Sequence, residues 1–191
     1  MSPLDQQAAQ LRAAVLKLKA PAVAKRAPAP RSSVFGRAAA AVPDDVRPAT
    51  SRAALEARFR HVETNALMAG TTMCLVVLPD SGELPDALLR SLTLLVKAKV
   101  TVLVLGRDIQ RDVPADRSRP LTVPLRPDDD LGNEWAVLAL GPRRRTAFLA
   151  RRNGELWDWV LTRDPVAVQR AGTAILERVP FLQLRVPAFE S

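Results

Sequence analysis

The sequence predicts an α/β domain on a mixed sheet, in which a βαβ unit is followed by an antiparallel meander and helices pack against the sheet. Two observations predict it. The stretches 72–78 and 99–105 are apolar, β-branched runs of strand length with a helical pattern between them. A strand, a helix and a strand in so short a span make parallel neighbours. Further on, 134–140, 146–151 and 156–161 are separated only by Gly141-Pro142-Arg143-Arg144-Arg145 and by Arg152-Asn153-Gly154-Glu155. Asn-Gly is a strong hairpin signal, so these three runs should form the meander.

Taken in order, the chain opens with a short amphipathic helix over 3–19. Ser2 caps it, Pro3 takes its first position, and Leu4, Ala8, Leu11, Val15 and Leu18 form one apolar stripe. Alone such a helix is marginal, so it needs a protein partner or a second copy of itself. Pro21, Pro28, Pro30, Pro43 and Pro48 then punctuate a basic, Ala-rich segment, which reads as an extended linker over 20–50. A second helix spans about 51–69, with Leu55, Phe59, Val62, Ala66 and Leu67 inward and Gly70 at its C′ position. Pro85 opens the crossover helix, which turns Leu88, Leu92, Leu95 and Val96 to the sheet. Pro124 confines the short run 121–125 to a sheet edge. Asp164-Pro165 starts a last helix with Val168, Ala171, Ile175 and Leu176 inward, and 181–186 is expected to add a terminal strand. The expectation is a sheet of five or six strands within a domain over 51–187.

The chain of 191 residues carries a net charge of +8. Up to Thr50 eight Lys/Arg stand against three Asp, a balance of +5, which leaves +3 for the other 141 residues. A basic arm of this kind suits contact with nucleic acid through Lys17, Lys19, Lys25, Arg26, Arg31 and Arg37, and equally suits a soluble spacer. One cysteine, Cys74, excludes an internal disulfide and a Cys-based metal cluster, and in an apolar strand it reads as a small buried hydrophobe. No signal-peptide stretch and no run of bilayer-spanning length occurs, so the expected location is the cytoplasm, away from membranes.

Little in the chain points to catalysis. The single histidine, His61, lies on the 51–69 helix with no Cys or Ser beside it to form a nucleophilic pair, and reads as a solvated face residue. Asp128-Asp129-Asp130 is dense in acid, yet adjacent residues in a loop point apart and do not converge on a cation. No cofactor is indicated. Trp135, Trp157 and Trp159 are three of only eight aromatics. Trp157 and Trp159 alternate with Asp158 and so share one face of their strand. That face is either core or, where open, a stacking surface for a base, a flavin-like ring or a partner side chain. Arg143, Arg144 and Arg145 at one hairpin and Arg151-Arg152 near the next read as solvated turns in which phosphate contact is possible.

From Ser51 onward the chain resembles the DICT sensory domain, a bacterial domain attached to diguanylate cyclases and two-component proteins. The resemblance is carried by Asp129-Asp130-Leu131-Gly132-Asn133-Glu134-Trp135, the strand that follows with Gly141-Pro142, and the later Trp159-Val160-Leu161-Thr162-Arg163-Asp164-Pro165. It implies a sensory or regulatory domain connected with light or stress signalling, with no catalytic residues to carry over. The departure is that no cyclase, kinase or DNA-reading output accompanies it here, and a basic arm stands in its place. The expected function is therefore a stand-alone sensory or regulatory domain that binds a ligand or partner. The alternative is a small basic nucleic-acid-binding accessory protein that uses the arm.

Overall fold

The computed structural model describes residues 33–66, 70–79 and 86–189. Ser33 begins the described chain as the cap of a short helix, α1 (Val34–Ala39), its Oγ accepting from the backbone N–H of Gly36 at 2.8 Å. A 3₁₀ turn (Pro43–Asp45) leads to strand β1 (Arg47–Thr50) and helix α2 (Arg52–Ala66). The βαβ unit follows as β2 (Met73–Val77), α3 (Asp86–Lys97) and β3 (Thr101–Gly106). Beyond it come β4 (Leu121–Pro124), a 3₁₀ turn (Asp130–Asn133), β5 (Glu134–Leu140), β6 (Arg145–Asn153), β7 (Leu156–Thr162) and α4 (Pro165–Leu176).

The seven strands form one mixed sheet in the order β1-β7-β6-β5-β2-β3-β4. β2 and β3 are parallel, with Met73 opposite Thr101 and Val77 opposite Leu105. β5, β6 and β7 are the expected antiparallel meander, turned at Gly154 with φ near +65°. β4 lies at one edge, where Pro124 needs no ladder partner on its open side. Helices cover both faces. Leu55, Phe59 and Val62 of α2 and Leu88, Leu92 and Leu95 of α3 pack on Cys74, Val76, Val137 and Phe148. On the other face α1 and α4 cover Leu75, Val77, Leu138 and Leu149. β2 and β5 are buried on both sides, which is why they read as apolar runs, broken only by Glu134 at the start of β5. No helix among the described residues is long and apolar enough to cross a membrane.

Three expectations are corrected. The linker expected over 20–50 does not hold for its second part: α1 packs Val34, Phe35 and Ala38 into the core, and β1 pairs with β7. The domain therefore includes residues before Ser51. The two prolines of this part sit where no backbone donor is lost to the fold, Pro43 at the start of a turn and Pro48 on an edge strand. The sheet accordingly has seven strands, not five or six. The strand expected over 181–186 is instead a 3₁₀ turn (Pro180–Leu182) followed by a segment outside the sheet. Gln183 takes a left-handed φ of 52°, which breaks the extended run, and both sheet edges are already formed by β1 and β4. Leu182, Leu184 and Val186 still bury their apolar sides against the core. The 3–19 helix and the first part of the linker lie outside the described residues.

One close approach fixes the join between β2 and β5. A Cβ on Gly141 would stand 1.8 Å from the carbonyl oxygen of Gly70, and backbone there has no side-chain freedom with which to yield. Gly141→Ala is expected to cost roughly 2–3 kcal/mol, as overpacking does, and to lower Tm by on the order of 5–10 °C. Gly132→Ala should cost less in the same melting experiment. Its Cβ would meet the guanidinium of Arg107, a long side chain that can move.

Candidate functional site: an arginine-lined tryptophan face

The pleat decides which aromatics meet. Trp135 on β5, Phe148 on β6, and Trp157 and Trp159 on β7 all face α2, whose Phe59 completes the group. Trp135 lies 5.0 Å from Phe59, 6.3 Å from Phe148 and 6.4 Å from Trp157 between ring centroids. This is an aromatic core, and Trp135 and Trp157 are closed within it at 6% and 2% exposure. Trp159 differs. It packs only against the margin of the cluster and stays partly exposed.

Every tryptophan carries a guanidinium over its ring: Arg52 at 5.8 Å from Trp135, Arg152 at 5.6 Å from Trp157 and Arg58 at 4.3 Å from Trp159. Such cation–π contacts hold the cations in place along the face. Arg52 also meets Glu56 one turn on, at 3.5 Å. Beside Trp159 an open cleft of about 280 Å³ is lined by Ala57, Arg58, His61, Trp159 and Leu161. Arg58 and His61 are three apart on α2, so both point to one side of it. Arg47 stands directly opposite Trp159 in the β1–β7 pairing, which puts its side chain on the same face, and its Nη1 donates to the Asp44 carbonyl at 3.1 Å. Asp158 points to the opposite face, where it meets Arg151 at 3.8 Å and accepts from Asn153 at 3.2 Å.

The expected arginine groups do not form one patch. Arg143 and Arg144 lie in the exposed β5–β6 turn, while Arg145 starts β6, stacks on Phe189 at 5.1 Å and donates to the Arg163 carbonyl. Arg151 and Arg152 sit in the far end of β6, not in the turn, and face opposite sides: Arg151 covers Phe35 at 4.9 Å and Arg152 covers Trp157. Arg37, assigned to the arm by sequence, is part of α1 and pairs with Glu177 at 3.0 Å. Lys17, Lys19, Lys25, Arg26 and Arg31 lie outside the described residues.

The acidic triplet separates as expected. Asp128 pairs with Arg126 in solvent, while Asp129 is buried, accepts from the N–H of Leu131 at 3.1 Å and faces Arg178 at 3.6 Å. Among the described residues no group of three or more His, Cys, Asp or Glu is placed to hold a metal ion.

Sequence reasoning missed a second polar feature. Glu134 is 3% exposed, and its carboxylate accepts from Ser33 Oγ and, at 3.0 Å, from the N–H of Phe35. Burial raises its pKa above the ordinary carboxylate value, opposed by the Ser33 and backbone hydrogen bonds and by the charge of Arg178. This clasp ties α1 to the start of β5. Its only sequence signal was a glutamate opening an otherwise apolar strand, opposite an N-cap serine about a hundred residues away.

No family model, curated protein or solved structure matches this chain.

Proposed function

We propose that this chain is a sensory or regulatory domain that acts by binding rather than by chemistry, with the cleft between α2 and β7 as its binding site. The observation that carries the reading is Trp159. It shares the aromatic face of Trp135 and Trp157, but it alone opens into a cleft, under Arg58 and beside His61 and Leu161. Exposed aromatics rimmed by cations mark recognition surfaces more often than core. The side chains lining the cleft supply no hydroxyl, thiol or carboxylate to act with His61 as a nucleophilic pair. The likeness of 129–142 and 159–165 to the DICT sensory domain points the same way. In this reading the domain works in the cytoplasm and passes its state to a protein partner or a second copy, a role for which the apolar stripe of 3–19 is suited.

A nucleic-acid accessory role has one feature in its favour beyond the basic arm: Arg47, Arg52, Arg58 and Arg152 all belong to the tryptophan face.

The binding reading is tested with anilinonaphthalene sulfonate, a planar aromatic anion whose fluorescence rises on binding. The native full chain should bind it in a saturable way, and Arg58→Glu should weaken that binding at least about tenfold by replacing attraction with repulsion. Near-ultraviolet circular dichroism must stay unchanged, because loosened cores also bind this dye. Equal binding by the wild type and Arg58→Glu would place the dye elsewhere and remove the cleft from the account.

A further inference from the structure

We propose that the ligand class of the α2–β7 cleft is a nucleoside phosphate, with one heteroaromatic base against Trp159 and its phosphate held by Arg58 and the polar groups beside it. The inference rests on the binding reading above and adds the chemistry of what is bound.

The ring comes first. Any base presents a π-face, and an accessible indole is the usual group on which it stacks. Leu161, 39% exposed, extends the apolar floor next to the indole. The Arg58 guanidinium carbon stands 4.3 Å from the Trp159 ring centroid, and the guanidinium's N–H donors lie in its own plane. Those donors match phosphate oxygens in pairs.

The charges come second. Arg47 stands across the β1–β7 pairing from Trp159, and His61, one turn beyond Arg58, adds a ring nitrogen to the lining. An anion entering the cleft meets the Arg58 guanidinium in the lining, to which no carboxylate belongs. Glu56, on the same helix, is engaged by Arg52.

Size decides between a nucleotide and a strand of nucleic acid. Sites for drug-sized ligands run to about 300–1,000 Å³, so the cleft, at about 280 Å³, takes one base with its sugar. A strand needs successive rings to stack on, and the next two tryptophans, Trp157 and Trp135, are closed in the core. The face therefore has one stacking position.

The test is calorimetric titration of the full chain with adenosine monophosphate, inorganic phosphate and a single-stranded oligothymidylate of about ten nucleotides. Adenosine monophosphate should bind at least about tenfold more tightly than phosphate, since only it can stack. Trp159→Leu should weaken it about tenfold or more, Trp159→Phe should retain most of the affinity, and Arg58→Ala should weaken both adenosine monophosphate and phosphate. Arg58 is on the exposed side of α2, so that variant keeps the test alive if Trp159→Leu fails to fold. Phosphate binding as tightly as adenosine monophosphate overturns the proposal in favour of a simple anion site. Oligothymidylate binding a hundredfold more tightly, with loss in Arg58→Ala, overturns it in favour of a nucleic-acid surface. If anilinonaphthalene sulfonate binds through Arg58 and adenosine monophosphate does not, the nucleotide assignment falls while the binding site stands. If neither binds, both fall.

Discussion

A chain beginning at Ser51 is expected to lose cooperative unfolding, whereas one beginning at Ser33 keeps it. The shorter chain lacks Val34, Phe35 and Ala38, which are buried against α4 and the sheet, and lacks β1, which borders β7. Burying a Val or Phe side chain contributes about 1.5–3 kcal/mol each, so these two alone represent roughly 3–6 kcal/mol. The Glu134 carboxylate would also lose the Ser33 hydroxyl and the Phe35 N–H, its hydrogen-bond donors at α1. Against a typical total stability of about 5–15 kcal/mol, that loss is enough to unfold most molecules. Thermal melts of the two truncations decide it. A sharp transition for the Ser51 chain within about 5 °C of the full chain would mean that α1 and β1 are appendages.

Glu134→Ala should be the most damaging single change in the clasp, at about 2–4 kcal/mol, because it leaves the Ser33 hydroxyl and the Phe35 N–H as buried donors without an acceptor. Glu134→Gln should stay within about 1 kcal/mol of wild type at neutral pH, since an amide retains an acceptor and removes the charge that burial penalises. The pH dependence follows from the direction of the pKa shift. Because the folded pKa is raised above 4.5, the native state holds this proton over a range in which the unfolded chain has released it. This residue's contribution to stability is therefore fully present below about pH 4.5, falls as pH rises through the folded pKa, and is constant above it. Denaturant melts across that range should show the decline in wild type and a flatter profile in Glu134→Gln. Parallel profiles would mean that Glu134 keeps its ordinary pKa in the fold.

The elements that sequence patterning resolved are those with one dominant local signal. The runs that became β2, β3 and β5 are almost wholly apolar because both faces of those strands are covered, and Asn153-Gly154 supplied the positive φ of the β6–β7 turn. α1 was hidden by its surroundings. Its buried positions, Val34, Phe35 and Ala38, have helical spacing, but they occupy little more than one turn between prolines and arginines. Composition spoke for a linker while tertiary packing made a helix. The segment after α4 misled in the opposite sense. Leu182, Leu184 and Val186 alternate as in a strand, yet they bury one side against the core without pairing. For the site, alternation placed Trp157 and Trp159 on one face. Which of them is closed depends on where α2 crosses the sheet, a long-range relation that no local pattern carries. Two of the three guanidiniums are equally non-local: Arg52 and Arg58 come from a helix some eighty to a hundred residues before their partners.

The three indole N–H signals of the isotope-labelled full chain provide the most direct test of Trp159 as the binding position. On titration with anilinonaphthalene sulfonate, the Trp159 signal, assigned by its loss in Trp159→Phe, should move progressively and saturate. Those of Trp135 and Trp157, closed within the core at 6% and 2% exposure, should shift little. Movement of Trp135 and Trp157 with Trp159 unmoved, or saturable binding that leaves all three signals in place, would contradict the account.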